Sequence, residues 1–275
     1  MALVRPVSRA LFCAVTVLVS ASALAAPPTL EQCHGIKDLA FVAHLDDDLL
    51  FMNPDIASNI EAGGCVRVIY LTASDAGEGD GYMLGRERGI RAAYAYMAHK
   101  PDQWKEDAGT AGGRAIARFT LQDNPRVQLW HMRLKDPWLG KGWGSLTPLS
   151  RTESEPGQSV DTLGPYPQVY TREQLIDTLA DLIRQYKPTT VRHLDDTIVV
   201  PYTQLCWRCA GHGHPDHIAS ARLAREAMLR VPGNYAETGY IDYPSQERAT
   251  NLADTEIASK SVIFQHYAWN DYHYC

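Results

Sequence analysis

Positive charge is in short supply in this sequence: 26 Lys and Arg face 32 Asp and Glu, a formal net charge of −6. That deficit argues against a nucleic acid or an anionic membrane surface as partner. Long apolar runs are also missing. The longest early one, Ala10 to Val19, falls short of the eighteen or more residues a membrane span requires, and no later stretch reaches that length. Arg5 and Arg9 precede it, and Ala23-Leu24-Ala25 follows with the small-x-small pattern of a signal-peptidase site. Residues 1–25 therefore read as a cleavable signal peptide, with the mature chain starting near Ala26 and no membrane insertion afterwards. Without Arg5 and Arg9, 24 basic residues remain against 32 acidic ones, a net charge of −8. Cysteine is sparse too. Cys13 lies in the leader without a lipoprotein-like setting, which leaves Cys33, Cys65, Cys206, Cys209 and Cys275. In an exported protein these suit disulfides better than free thiols, and the odd count leaves one unassigned.

What the sequence does have is an alternation of strand and helix signals. "LAFVAH" (39–44) and "VRVIYLTA" (66–73) are apolar and rich in branched residues, as strands covered on both faces are. Cys33 and Cys65 each shortly precede one of them, and meet if the two strands are neighbours. Between the strands lies a helical period interrupted at Pro54 and closed by Gly63-Gly64. Further along, 85–98 reads as a helix and 126–132 as a strand. Residues 171–186 read as a helix with a Thr171/Gln174 capping box, 189–195 as a strand and 215–230 as a helix. The expected fold is α/β, with a Rossmann-like, mostly parallel sheet and helices on both faces, in a single domain over 26–275. Residues 99–125 and 133–170 read as long decorated loops, either mobile or built around a site.

Two clusters fall where ligands of open α/β sheets bind, outside the carboxyl ends of strands. "AHLDDD" (43–48) ends the first strand, and "GHGHPDH" (211–217) opens a helix. Pro215 suits the first helical position, making His214 the cap and placing His217 one turn along on the same face, with Asp216 expected to face elsewhere. Three adjacent aspartates repel one another, and a cation relieves that conflict. Together His44, Asp46, Asp47, His214 and His217 supply what a catalytic zinc site needs: two imidazoles, a carboxylate and an open fourth position.

"AHLDDD" followed by "LLFM", then "YLTASDAGEG" and finally "GHPDH" resembles, in order and register, the PIG-L / LmbE-like family of zinc-dependent N-acetylglucosamine deacetylases. The likeness covers roughly residues 38–230. The resemblance implies that His44, Asp47 and His217 hold one Zn²⁺, other divalent ions being admissible. It also implies Asp46 as general base, protonated His214 as oxyanion support and acid, and Arg88 as a substrate-binding residue. Asp48 is left for the helix start. Leu45 stands for the family's usual proline and Asp48 for its usual glutamate, and neither change removes a ligand or base.

The implied function is a secreted or periplasmic deacetylase that hydrolyses the N-acetyl amide of an N-acetylglucosamine-type sugar or glycoconjugate to a free amine and acetate. Metal-dependent hydrolysis of another amide, or sugar binding without turnover, are the alternatives. Trp138, Trp143, Tyr166 and Tyr170 either line a carbohydrate cleft or pack their loop onto the core. Cys206, Cys209 and His212 have structural-zinc spacing, against which stand a local disulfide or two separate bridges. His193, Asp195 and Asp196 either orient ligands and substrate or form a turn.

Overall fold

Strands β1 (Lys37–Val42) and β2 (Cys65–Thr72) pair in parallel with Leu39 opposite Arg67 and Phe41 opposite Ile69. This is a computed structural model, and it describes residues 33–140 and 142–274. The expected leader over 1–25, with Cys13, and Cys275 lie outside the described residues. Alternate side chains of β1 enter two cores: Leu39 and Phe41 on one face of the sheet, Ala40 and Val42 on the other. That period of two is the reason such strands are apolar throughout. Cys33 and Cys65 form a disulfide that ties the segment before β1 to the start of β2.

The seven-stranded sheet has the order β3 (Trp104–Ala111), β4 (Arg114–Leu121), β5 (Val127–Leu134), β2, β1, β8 (Thr190–Leu194), β9 (Ala236–Tyr240). Strands β5, β8 and β9 run parallel to β1 and β2. On one face lie α1 (Asp55–Glu61), α2 (Asp80–Met97) and α6 (Asp254–Ala268). On the other lie α3 (Pro148–Ser154), α4 (Arg172–Tyr186) and α5 (Pro215–Arg230). The mostly parallel α/β expectation holds. The chain moves from β1 to β2 on one side and later to β8 on the other, so the carboxyl end of β1 is a topological switch point.

Residues 99–125 are not a loop. They hold β3 (Trp104–Ala111) and β4 (Arg114–Leu121), an antiparallel hairpin that extends the sheet past β5. Gly112 and Gly113, with φ of 56° and 72°, make its two-residue turn, where both central residues need the left-handed region. Strand β9 also went unpredicted, because "AETGY" at the sheet edge carries no apolar run. Residues 133–170 contain α3 and the small hairpin β6 (Ser159–Asp161) and β7 (Val169–Thr171), besides loop that reaches the carboxyl end of the sheet. Helix α4 begins at the expected Thr171–Gln174 capping box and ends at Lys187 in the left-handed region, ahead of Pro188.

Candidate active site

Just past β1 the chain makes a tight turn that aims its polar groups. The His44 amide donates to Asp47 Oδ2 at 2.7 Å, which leaves Asp47 Oδ1 free to face helix α5. The Leu45 amide donates to Ser74 Oγ at 3.0 Å. A proline at that position would have no hydrogen to give, so the departure at 45 adds a tie between the ends of β1 and β2.

Helix α5 brings the second cluster. His214 is its N-cap, and its Nδ1 accepts from the Asp216 amide at 3.2 Å. His217 Nε2 then lies 3.0 Å from His44 Nδ1 and 3.0 Å from Asp47 Oδ1, while His44 Nδ1 and Asp47 Oδ1 are 3.5 Å apart. This is the spacing of three ligands that share one ion at bond lengths of about 2.0–2.2 Å. Two nitrogen lone pairs and a carboxylate converging so closely fit a divalent cation. The electrostatics agree. Burial opposes charge on both histidines, but Asp47 raises His44 well above its usual range and His217 to about 9. Burial likewise opposes ionisation of Asp47, yet His217 and His44 hold it well below the usual carboxylate range. The three groups favour one positive centre among them.

The far nitrogens of both imidazoles face carboxylates. His217 Nδ1 is 2.7 Å from Asp242 Oδ2, and both residues are fully buried. His44 Nε2 is 3.4 Å from Asp216 Oδ2 and 3.5 Å from Asp136 Oδ2. A carboxylate behind a histidine fixes its tautomer and turns the other nitrogen towards a metal. Burial alone would raise Asp216, but hydrogen bonds from His44 and Thr147 keep it below its ordinary value. Burial, with the nearby Asp216 charge, pushes Asp136 up to about 7. Asp216 therefore points into the centre, contrary to the expectation that it would face elsewhere. Helical phase alone placed it wrongly because the first turn lies directly over the His44 ring. Asp136 and Asp242 were not anticipated. Each sits two residues past the end of a parallel strand, a signal that was readable for β5 and hidden for the unrecognised β9.

Asp46 has partners outside the triangle. Its Oδ1 pairs with Arg86 Nη2 at 2.9 Å and its Oδ2 accepts from the Tyr274 hydroxyl at 3.1 Å. Arg86 is buried and also donates to Tyr267 Oη at 2.6 Å and to the Ser74 carbonyl at 3.0 Å, with Asp271 Oδ2 3.2 Å from its Nε. Arg88, the expected substrate-binding residue, does not join this cluster: it is exposed and borders a separate cleft with Arg91 and Asp102. Two residues along a helix turn a side chain by about 200°. Arg86 shares the inward face with Met83, Ile90 and Ala93, and that phase was available in the sequence.

Asp48 opens a short π-helix, Asp48–Met52, in line with the expected helix start, and its side chain turns into the core. It is fully buried, and its Oδ2 accepts from the Tyr70 and Tyr94 hydroxyls at 2.8 and 2.5 Å, anchoring the turn to the core. Burial pushes it up to about 7 against the pull of those two donors. His214 also differs from expectation. With Nδ1 accepting an amide hydrogen, and with burial and the neighbouring His44 holding it well below its usual range, it is neutral and presents Nε2–H.

A cavity of about 680 Å³ opens onto these groups. Trp138 and Trp143 line it; Tyr170 is buried in the core and Tyr166 packs against it, so the cleft reading suits only the two tryptophans. Cys206 and Cys209 form a disulfide, which excludes the structural-zinc alternative in this state, and His212 Nδ1 accepts from the Cys206 amide. His193 is occupied with Glu237, Asp195 caps its own turn and Asp196 pairs with Arg225, so these three serve structure.

The family described as "PIG-L: GlcNAc-PI de-N-acetylase" matches residues 39–228. No curated protein matches the chain. Among solved structures, a deacetylase of teicoplanin biosynthesis is 16% identical over 84% of this chain and 83% of its own, with a TM-score of 0.48. An N,N'-diacetylchitobiose deacetylase from Pyrococcus horikoshii is 16% identical over 84% and 70%, with a TM-score of 0.45. A 4-carboxy-2-hydroxymuconate hydratase from Pseudomonas putida is 14% identical over 85% and 84%, with a TM-score of 0.40. Asp242, Asp271 and Tyr274 all lie beyond the matched residues.

Proposed function

This chain belongs to the PIG-L family of GlcNAc-PI de-N-acetylases, and from that membership and the site geometry we propose that it is an exported, zinc-dependent N-deacetylase of an N-acetylated amino sugar. The observation that carries the reading is the triangle of His44 Nδ1, Asp47 Oδ1 and His217 Nε2, with edges of 3.0–3.5 Å. These residues would hold the ion, and Asp242 and Asp216 would keep the imidazoles turned towards it. Zn²⁺ bound there supplies Lewis acidity and a water of lowered pKa.

The chain's own groups supply the rest. Asp46, held at both oxygens by Arg86 and Tyr274, takes the proton of the attacking water. His214 presents its Nε2–H to the carbonyl oxygen as negative charge develops there. It does so as a neutral donor, because its Nδ1 is committed to the helix cap. The amide carbon–nitrogen bond then breaks, the amine leaves with the proton that Asp46 took up, and the products are acetate and an amino sugar. Disulfides Cys33–Cys65 and Cys206–Cys209 support an oxidising compartment, secreted or periplasmic.

The test is acetate release from N-acetylglucosamine and its oligomers by purified protein, with added zinc and with a chelator. Release that requires the ion is expected. A zinc-loaded enzyme that leaves every N-acetyl sugar intact would sink the proposal.

A further inference from the structure

An aromatic wall runs outward from the candidate centre. The His214 ring meets Trp143 edge-on at 5.0 Å, Trp143 meets Trp207 edge-on at 5.3 Å, and Tyr243 stacks on Trp143 at 5.8 Å. The wall ends in solvent, where Trp207 is 46% exposed. Another rim residue is Trp138, two positions after Asp136, which is 71% exposed and also lines the cavity. A single exposed aromatic ring needs no explanation, but two at one cavity mouth form an apolar contact surface.

Both rims are braced. Trp207 sits between the two cysteines of a disulfide. Its strip is paired with the Trp143 strip: Gly144 N–H donates to Leu205 O at 2.9 Å, and Trp207 N–H to Gly142 O at 3.4 Å. The Trp138 loop is joined to the segment after β2 by an Ala76–Pro137 bridge and by Gly77 N–H donating to Asp136 O at 3.2 Å. The backbone that carries each ring is thus tied down before any ligand arrives, which lowers the ordering cost of binding.

Charge narrows the occupant. Among the described residues lining the cavity, the side chains outside the histidines of the centre that can carry positive charge are Arg86 and His273. Arg86 is engaged by Asp46 and Asp271, and His273 by Glu78 at 2.8 Å. No cation among them is left for a phosphate or carboxylate, and Glu78 and Asp136 disfavour one. Flat rings interleaved with polar groups suit pyranoses, whose faces are apolar and whose edges carry hydroxyls. At about 680 Å³, the cavity is in the range that takes a drug-sized ligand rather than one small ring.

Resting on the deacetylase reading above, we propose that Trp207 and Trp138 are outer subsites for an extended, uncharged N-acetylated glycan, whose sugars beyond the reacting one stack on these rings. The experiment uses β-1,4-linked N-acetylglucosamine chains of one to six units. It measures kcat/KM for acetate release by the zinc-loaded wild type, Trp138→Ala and Trp207→Ala. It also measures binding of the same chains to zinc-loaded Asp46→Asn through tryptophan fluorescence.

The expected result is that kcat/KM rises with chain length, and that each tryptophan substitution lowers the six-to-one ratio by about tenfold. Because it is a ratio, partial misfolding of a variant does not imitate the effect. Rates independent of length, or a ratio unchanged in both variants, overturn the proposal, as does a phosphorylated monomer that outpaces the six-unit chain. Length-dependent binding without hydrolysis of any chain would keep the subsites and reject the deacetylase reading. Loss of both binding and hydrolysis rejects the two together.

Discussion

Asp46 and Asp47 are chain neighbours with separate partners, and the separation is what makes a division of roles testable. Asp47 faces His217 and His44, whereas Asp46 faces Arg86 and Tyr274. On the proposed reading, Asp46→Asn retains one zinc per chain and loses kcat by about 10²- to 10⁴-fold, while His217→Ala loses the zinc itself. Metal content by atomic emission beside steady-state kinetics distinguishes the two, and equal zinc loss in both variants would contradict the division. Asp242 makes a finer case. Its carboxylate holds the His217 ring from behind at 2.7 Å, so Asp242→Asn should weaken zinc binding by about 10- to 100-fold in a competitive chelator titration. An unchanged affinity would reduce Asp242 to a packing residue. His44, Asp46, Asp47, His214 and His217 were all readable from two short motifs, because their spacing is local. Arg86, Asp136 and Asp242 come from three other segments: the helical phase of Arg86 and the strand-end position of Asp136 were legible, but not that they would meet the two motifs, and Asp242 follows a strand without an apolar run.

The elements that aim these residues depend on close packing between α2 and α6. A Cβ on Gly89 would lie 2.6 Å from the Tyr267 carbonyl oxygen and 2.9 Å from its ring. Gly89→Ala gains helix propensity of about 1 kcal/mol but forces the two helices apart, a strain of about 1–3 kcal/mol or more. A fall in the urea midpoint is expected; a rise would mean the helices have room to give. Activity should fall with it, since Tyr267 bonds Arg86 and the tail beyond α6 delivers Asp271 and Tyr274 to the site. Strands β1, β2, β5 and β8 and helices α2, α4 and α5 were evident from periodicity and caps. The β3–β4 hairpin was missed although Gly112-Gly113 announced its turn, because β3, the strand at the sheet edge, is polar and mostly exposed.

At the scale of the whole molecule, the core contains a charge cluster with no part in the proposed chemistry. His131 is buried on β5, stacked on Tyr70 and edge-on to Phe119, with neither ring nitrogen hydrogen-bonded. Glu87 is 3.6 Å away and raises it, but burial, helped by Arg133 and Arg91, lowers it to about 4. The folded value lies below the unfolded one of about 6.5, so the unfolded chain binds the proton first as pH falls. Stability is therefore full above pH 6.5 and declines towards pH 4, by up to about 3 kcal/mol from this group. Denaturant melts of wild type and His131→Phe at pH 7 and pH 4.5 should show the variant losing less. Parallel losses in both proteins would place the acid sensitivity elsewhere.

Sequence alone determined the layered α/β plan, the strand-end position of both motifs and the identity of the groups that could hold an ion. Those properties are written in periods of 2 and 3.6 and in residues a few positions apart. The meeting of residue 44 with residue 217, the backing carboxylates at 136 and 242, and the choice of Arg86 over Arg88 were decided by tertiary structure. So was the exposure of Trp138 and Trp207 at one cavity mouth. Each depends on which strand ends become neighbours and on the rotation of a helix against the sheet, and those are settled by packing two cores at once rather than by any local run of residues.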